Sequence, residues 1–197
     1  MTRKRYLQIG AGVAVVALAA WAASRVLERM VSPQSGPSGA PASTAGAASV
    51  PHISATLYYA TPDGQALAAV PREVPLAEGV RAQGRQILQS LLEPAPAPFL
   101  SVIPQGTLLR AFYITERGDA FVDLSPEVST AHPGGSTNEL LTVYAIVNAI
   151  TTNLTSVQRV QILIAGKEAD TLAGHVDLRR PFLREPSVVR EPPAKTQ

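Results

Sequence analysis

The chain has 197 residues, with 17 Lys and Arg against 15 Asp and Glu, and no cysteine. Without cysteine there is no disulfide, thiolate metal site, cysteine nucleophile or cysteine-linked lipid anchor. The formal charge of +2 is spread along the chain. No Lys/Arg run is interleaved with aromatics, so nucleic acid is not an expected partner.

Residues 6–24, YLQIGAGVAVVALAAWAAS, carry no charge and follow Arg3-Lys4-Arg5. As a helix this segment reaches roughly 28 Å, close to the ~30 Å of a bilayer's hydrocarbon core. The basic cluster favours the cytoplasmic side, so the rest of the chain is expected outside the cytoplasm. Trp21 suits a membrane interface and an uncleaved single-pass anchor. Ala20-Trp21-Ala22 also suits signal peptidase, and a cleaved signal peptide would export the same residues. Residues 1–30 are thus read as an N-terminal membrane anchor. Residues 31–50, VSPQSGPSGAPASTAGAASV, hold almost nothing large and apolar and read as a flexible Pro/Ser/Gly/Ala linker. Residues 186–197 read as a disordered tail on the same ground.

The remaining residues, 51–185, are the size of one domain. Apolar alternation through Ile53, Ala55, Leu57 and Tyr59 predicts a strand, and Thr61-Pro62-Asp63-Gly64 a turn. Ala66–Val74 can return as a second strand, with Pro71 and Pro75 keeping it at an edge or cutting it short. Ala77–Leu92 is predicted helical, its apolar stripe running through Val80, Gly84, Ile87, Leu88 and Leu91, with Arg81, Arg85 and Gln89 outside it. Thr107–Ile114 and Ala120–Leu124 flank a Gly118 turn and predict a hairpin. Ser136–Asn153 is predicted as a second helix, opened by a capping box of Ser136 and Glu139. Its apolar residues cover most of its circumference, which places it in the middle of a core. Val157–Ala165 alternates as a strand, and His175–Leu178 is a candidate for an edge strand. The predicted class is α+β: a small mixed or antiparallel sheet with two helices packed on one face, preceded by a single transmembrane helix.

These pieces resemble the GerMN family, the sporulation and spore germination domain of bacterial envelope proteins. The resemblance covers about residues 53–180. It is carried by LYYATPDGQALAAVPREVP, QSLLEP, IPQGTLLRAFYITERGDAFVDLSPE, HPGGSTNELLTVYAIVNAIT and VQRVQILIAGKEADTLAGHVDL in that order. Glu93-Pro94 departs from a frequent Gly-Pro, at a helix end. The resemblance implies a fold similar to the ring-building motifs of secretion and sporulation machines and a non-enzymatic role in envelope assembly; the uncharged segment places that role at the bacterial cytoplasmic membrane.

Read by their chemistry, the residues offer few competing sites. His52, His132 and His175 have no ligand-like partner at i+3 or i+4, so no metal is expected. A hydrolase would need Ser136, His132 and Asp123 to converge. Sugar cleavage would need Asp123 with Glu127 or Glu139. Pro133-Gly134-Gly135 before a helix could bind an anion but lacks the Lys of a phosphate loop. No catalytic, cofactor or metal site is therefore expected. The expected function is a protein–protein assembly or scaffolding module whose partners are other envelope proteins, a homo-oligomer included; association through a sheet edge would mark it. The alternative is a peptidoglycan or small-ligand binding module, marked by a pocket lined by Tyr58, Tyr59 and Tyr113.

Overall fold

Apolar alternation from Ile53 to Tyr59 gives a nine-residue strand in the computed structural model, which describes residues 50–190. The anchor expected over 1–30 and residues 191–197 lie outside the described residues. Among the described residues no helix is long and apolar enough to cross a membrane.

Strand β1 (His52–Ala60) pairs antiparallel with β2 (Leu67–Pro75) around the turn at Gly64. Pro71 lies opposite Thr56, and the Thr56 N–H and C=O both point away from β2 to the side chain of Asn153. The pair is thus a non-hydrogen-bonded one, where a missing N–H costs the ladder nothing. This is why β2 runs its full nine residues despite two prolines.

Helix α1 (Val80–Leu92) begins three residues later than predicted. Gln83, Gly84, Ile87, Leu88 and Leu91 face inward, whereas Val80, expected in the apolar stripe, is 46% exposed. Gln83 replaces it because its carboxamide accepts from Ala77 N–H and donates to Pro75 C=O, tying the helix to the end of β2. Gly84 has a steric reason: a Cβ there would lie 2.2 Å from Cε1 of Phe112, which is fully buried.

The hairpin forms as β3 (Leu109–Ile114) and β4 (Asp119–Leu124). A short helix α2 (Glu127–Thr130) leads to α3 (Ser136–Asn153), whose bounds match the sequence reading. Strand β5 (Arg159–Ile164) lies parallel to β4, the arrangement a helical crossover permits. Two short strands follow, β6 (Phe182–Leu183) beside β5 and β7 (Val189–Arg190) parallel to β2.

The α+β class holds, with corrections. Among the described residues there are two sheets, ordered β1-β2-β7 and β3-β4-β5-β6, both mixed. Helix α3 touches both, through β1 and through β5 and β6. That explains why Leu141, Val143, Ile146, Val147 and Ile150 are buried around its circumference. Burying each such side chain contributes about 1.5–3 kcal/mol. His175–Leu178 forms no sheet edge; Thr171 bridges Asp177 instead, and Leu178 N–H donates to Asp170 C=O. Within the tail expected to be disordered, residues 186–190 are ordered. Asn148 brackets Glu185 with two bonds of 2.9 Å, and Pro186–Val188 makes a 3-10 turn into β7. The apolar pattern gives no hint of this, because the segment is held through its backbone.

Candidate functional site

The residues nominated for hydrolysis are each engaged elsewhere. His132 accepts from Gly134 N–H at Nδ1 (3.0 Å), so the ring proton sits on Nε2 and is given to Thr142 Oγ1 at 3.1 Å. The Thr142 hydroxyl in turn donates to a carbonyl, with Val102 O at 2.7 Å and Asn138 O at 2.9 Å. Burial pushes the imidazole pKa below its usual value, against a smaller upward pull from Glu139. His132 is therefore a neutral structural link with no lone pair left for a nucleophile's proton. Ser136 is exposed and has no base. It is not the helix cap either: Gly135 occupies that position with positive φ, and no side chain caps the helix. Asp123 accepts from Gly166 N–H at 2.7 Å and from Arg110 Nε at 3.2 Å, fastening β4 to the turn after β5 and to β3.

The capping box fails because Glu139 points the other way. Its carboxylate is wholly buried and receives Leu172 N–H (2.8 Å) and Ala173 N–H (2.9 Å) at Oε1, and His175 N–H (2.8 Å) at Oε2. His175 Nδ1 lies 3.2 Å from Oε2. Desolvation alone would raise the pKa, but the converging backbone N–H groups outweigh it and hold the group below the carboxylate norm. The loop after β5 is thus an anion nest filled by the chain's own glutamate. Glu127, the alternative partner for Asp123, is exposed on α2 and hydrogen-bonded to Ser125. Among the described residues no three His, Cys, Asp or Glu side chains gather as a metal site. In the Pro133-Gly134-Gly135 stretch, the Gly134 N–H is held by His132 and its carbonyl by Asn138, so the turn is internally bonded.

The three tyrosines do not line one pocket. Tyr58 is buried and bonded to Thr152, Tyr59 is buried on β1, and Tyr113 is half-exposed on the other sheet. A shallow cleft of about 550 Å³ lies instead at the start of α1, lined by Glu78, Gly79, Val80, Arg81, Ala82 and Arg85. Arg81 fixes one wall: its Nε donates to Phe112 C=O at 3.0 Å, and its guanidinium lies 5.0 Å from the centre of the Tyr113 ring. Sequence periodicity assigned Arg81 and Arg85 to a solvated face. It could not show that Tyr113, from another element, stands beside Arg81.

Several edge positions of the sheets are occupied by devices that periodicity does not show. Asn153 takes both free backbone groups of Thr56, and Leu100 takes both of Ala60. On the far side of β2, Pro71 and by alternation Pro75 offer no donor. Arg81 occupies the Phe112 carbonyl on β3. Strand addition along these strands therefore meets several positions that are already occupied or lack a donor.

The model of the Germane family, described as sporulation and spore germination, matches residues 56–170, more than half of the chain. The chain belongs to that family. The Germane domain is 26% identical to a candidate lipoprotein of Clostridium perfringens, with a TM-score of 0.50, over 68% of this chain and 89% of that one. Its fold is shared with GerM, a sporulation protein of Bacillus subtilis. Against the tandem GerMN domains of GerM the TM-score is 0.54 at 18% identity, over 70% of this chain and 48% of that one. Against the first GerMN domain the values are 0.53 and 20%, over 68% and 98%. No curated protein matches this sequence.

Proposed function

We propose that this Germane domain is a non-enzymatic assembly module of the bacterial envelope, held outside the cytoplasmic membrane by a single-pass anchor at residues 6–24. The observation that carries the reading is the engagement of the chemistry-bearing side chains. His132 has both ring nitrogens bonded, Glu139 is saturated by backbone amides, and Asp123 is tied to Gly166 and Arg110. Function then resides in what the surface binds. Membership of a sporulation and germination family and the likeness to a candidate lipoprotein support an envelope role. The occupied edge positions favour contact through side-chain surfaces over strand addition. The tether raises the effective concentration of the domain near other membrane-held proteins.

Three measurements test this. A reporter that is active only outside the cytoplasm, fused after Gln197, is expected to be active; activity of a cytoplasm-only reporter there overturns the topology. In-cell crosslinking with mass spectrometry is expected to recover envelope proteins at defined surface residues. Turnover of peptidoglycan or ester substrates by the purified chain, lost in His132→Gln, would favour the hydrolase instead.

A further inference from the structure

Val50, Leu76, Val80 and Tyr113 are 56%, 50%, 46% and 49% exposed, and a series of contacts joins them. Leu76 N–H donates to Pro51 C=O at 2.7 Å, placing Leu76 beside the first described residues. Gln83 holds Pro75 and Ala77 against the first turn of α1, which presents Val80 and Arg81. Arg81 reaches Phe112 and covers Tyr113, and Arg85 stands one turn further along the helix, at the border of the cleft. The result is one face of aliphatic side chains, an aromatic ring and two guanidinium groups, with Glu78 the one carboxylate among the residues lining the cleft.

We propose that this face docks on an anionic lipid surface, with Leu76 and Val80 entering the headgroup boundary and Arg81 and Arg85 meeting lipid phosphates. Two arguments select lipid as the occupant. The described domain starts on this face, at Val50, and only residues 25–49 separate it from the uncharged segment. That length spans at most roughly 90 Å, so the bilayer is always within reach. The chemistry also fits: guanidinium groups match phosphate, Tyr suits the interface, and short aliphatic side chains bury shallowly there. With Nε bound to the Phe112 carbonyl, Arg81 keeps its Nη groups for phosphate. The inference rests on the membrane-anchored reading.

The chain has no cysteine, so a single Val80→Cys substitution takes one environment-sensitive fluorophore at a known place. Leu183→Cys, at the opposite edge of the sheet that holds Tyr113, is the control. The full chain is reconstituted into vesicles of phosphatidylcholine alone or with about a third phosphatidylglycerol, doped with brominated lipid, and floated on a gradient. Flotation with both vesicle types, with the label at position 80 quenched several-fold more in anionic vesicles than in neutral ones, is the expected result. The label at 183 is expected to stay unquenched, and Arg85→Glu to return position 80 to its neutral-vesicle value. Flotation with both types but no lipid-charge-dependent quenching at 80 overturns the docking and leaves the anchor standing. Flotation only with anionic vesicles overturns the anchor and supports the docking, and flotation with neither overturns both. A signal that follows protein density and ignores lipid charge assigns the face to a second copy and overturns the proposal.

Discussion

Glu139 shows how far one side chain can depart from the role its spacing suggests. An S-x-x-E pattern ahead of an apolar run predicts a capping box. The carboxylate instead collects amides from residues 172–175, more than thirty positions away. Local spacing carries no information about such a partner, so this contact was illegible in the sequence. Glu139→Gln is expected to cost about 3 kcal/mol in urea unfolding, because a charge-assisted acceptor is lost and an NH₂ group faces N–H donors. Ser136→Ala is expected to change stability by less than about 0.5 kcal/mol, since no cap bond is removed. A Ser136→Ala loss near 1 kcal/mol would restore the capping box. His132 gives a second expectation. Its folded pKa lies below the ordinary 6.5, so between those values the unfolded chain binds a proton that the folded domain does not. Stability is therefore expected to fall as pH drops through about 6.5 and to level off below the folded value. His132→Gln should flatten that part of the profile in thermal melts between pH 7.5 and 5.

Among the elements, the long apolar ones were the legible ones. The bounds of α3 and the pairing of β3 with β4 follow from periodicity and a glycine turn, because burial and chain reversal leave a local trace. The short strands β6 and β7 leave none; they are two residues each and are placed by tertiary bonds. Asn148 and Asn153 do much of that placing. Each turns a carboxamide toward the backbone of a distant residue and satisfies one N–H and one C=O, as a neighbouring strand would. Asn153→Ala is expected to cost about 2 kcal/mol, since two half-buried backbone groups lose their partners. Hydrogen exchange checks it directly: the Thr56 amide should exchange faster by an order of magnitude or more. Unchanged protection at Thr56 would show that water replaces the carboxamide.

In the molecule as a whole, α3 is the common support of both sheets. Val147, fully buried at its middle, is expected to make Val147→Asp lose several kcal/mol, a large share of a domain stability of roughly 5–15. Both sheets should be lost in one transition. Exchange probes at Leu57 and Val122, on different sheets, are expected to report the same midpoint, and separate midpoints would show two independent units. The fold class could be read from the sequence because apolar patterning records which faces are inside. The interaction face could not, since it joins Leu76 from a connection, Val80 from α1 and Tyr113 from β3, whose exposure depends on how they pack.

The Asn153 bracket also bears on where the protein can be produced. Asn153-Leu154-Thr155 is an acceptor sequence for N-linked glycans, and a eukaryotic secretory host would present it to the transferase while the chain is still unfolded. The nitrogen that would carry the sugar is the one that donates to Thr56 and Ala149 in the folded domain. A sugar there removes one of these two donors and adds bulk at a half-buried site, which works against seating β1 on α3. Such a host should retain misfolded glycoprotein and secrete little unless the exposed Thr155 is first exchanged for alanine, which removes the acceptor and leaves the carboxamide in place.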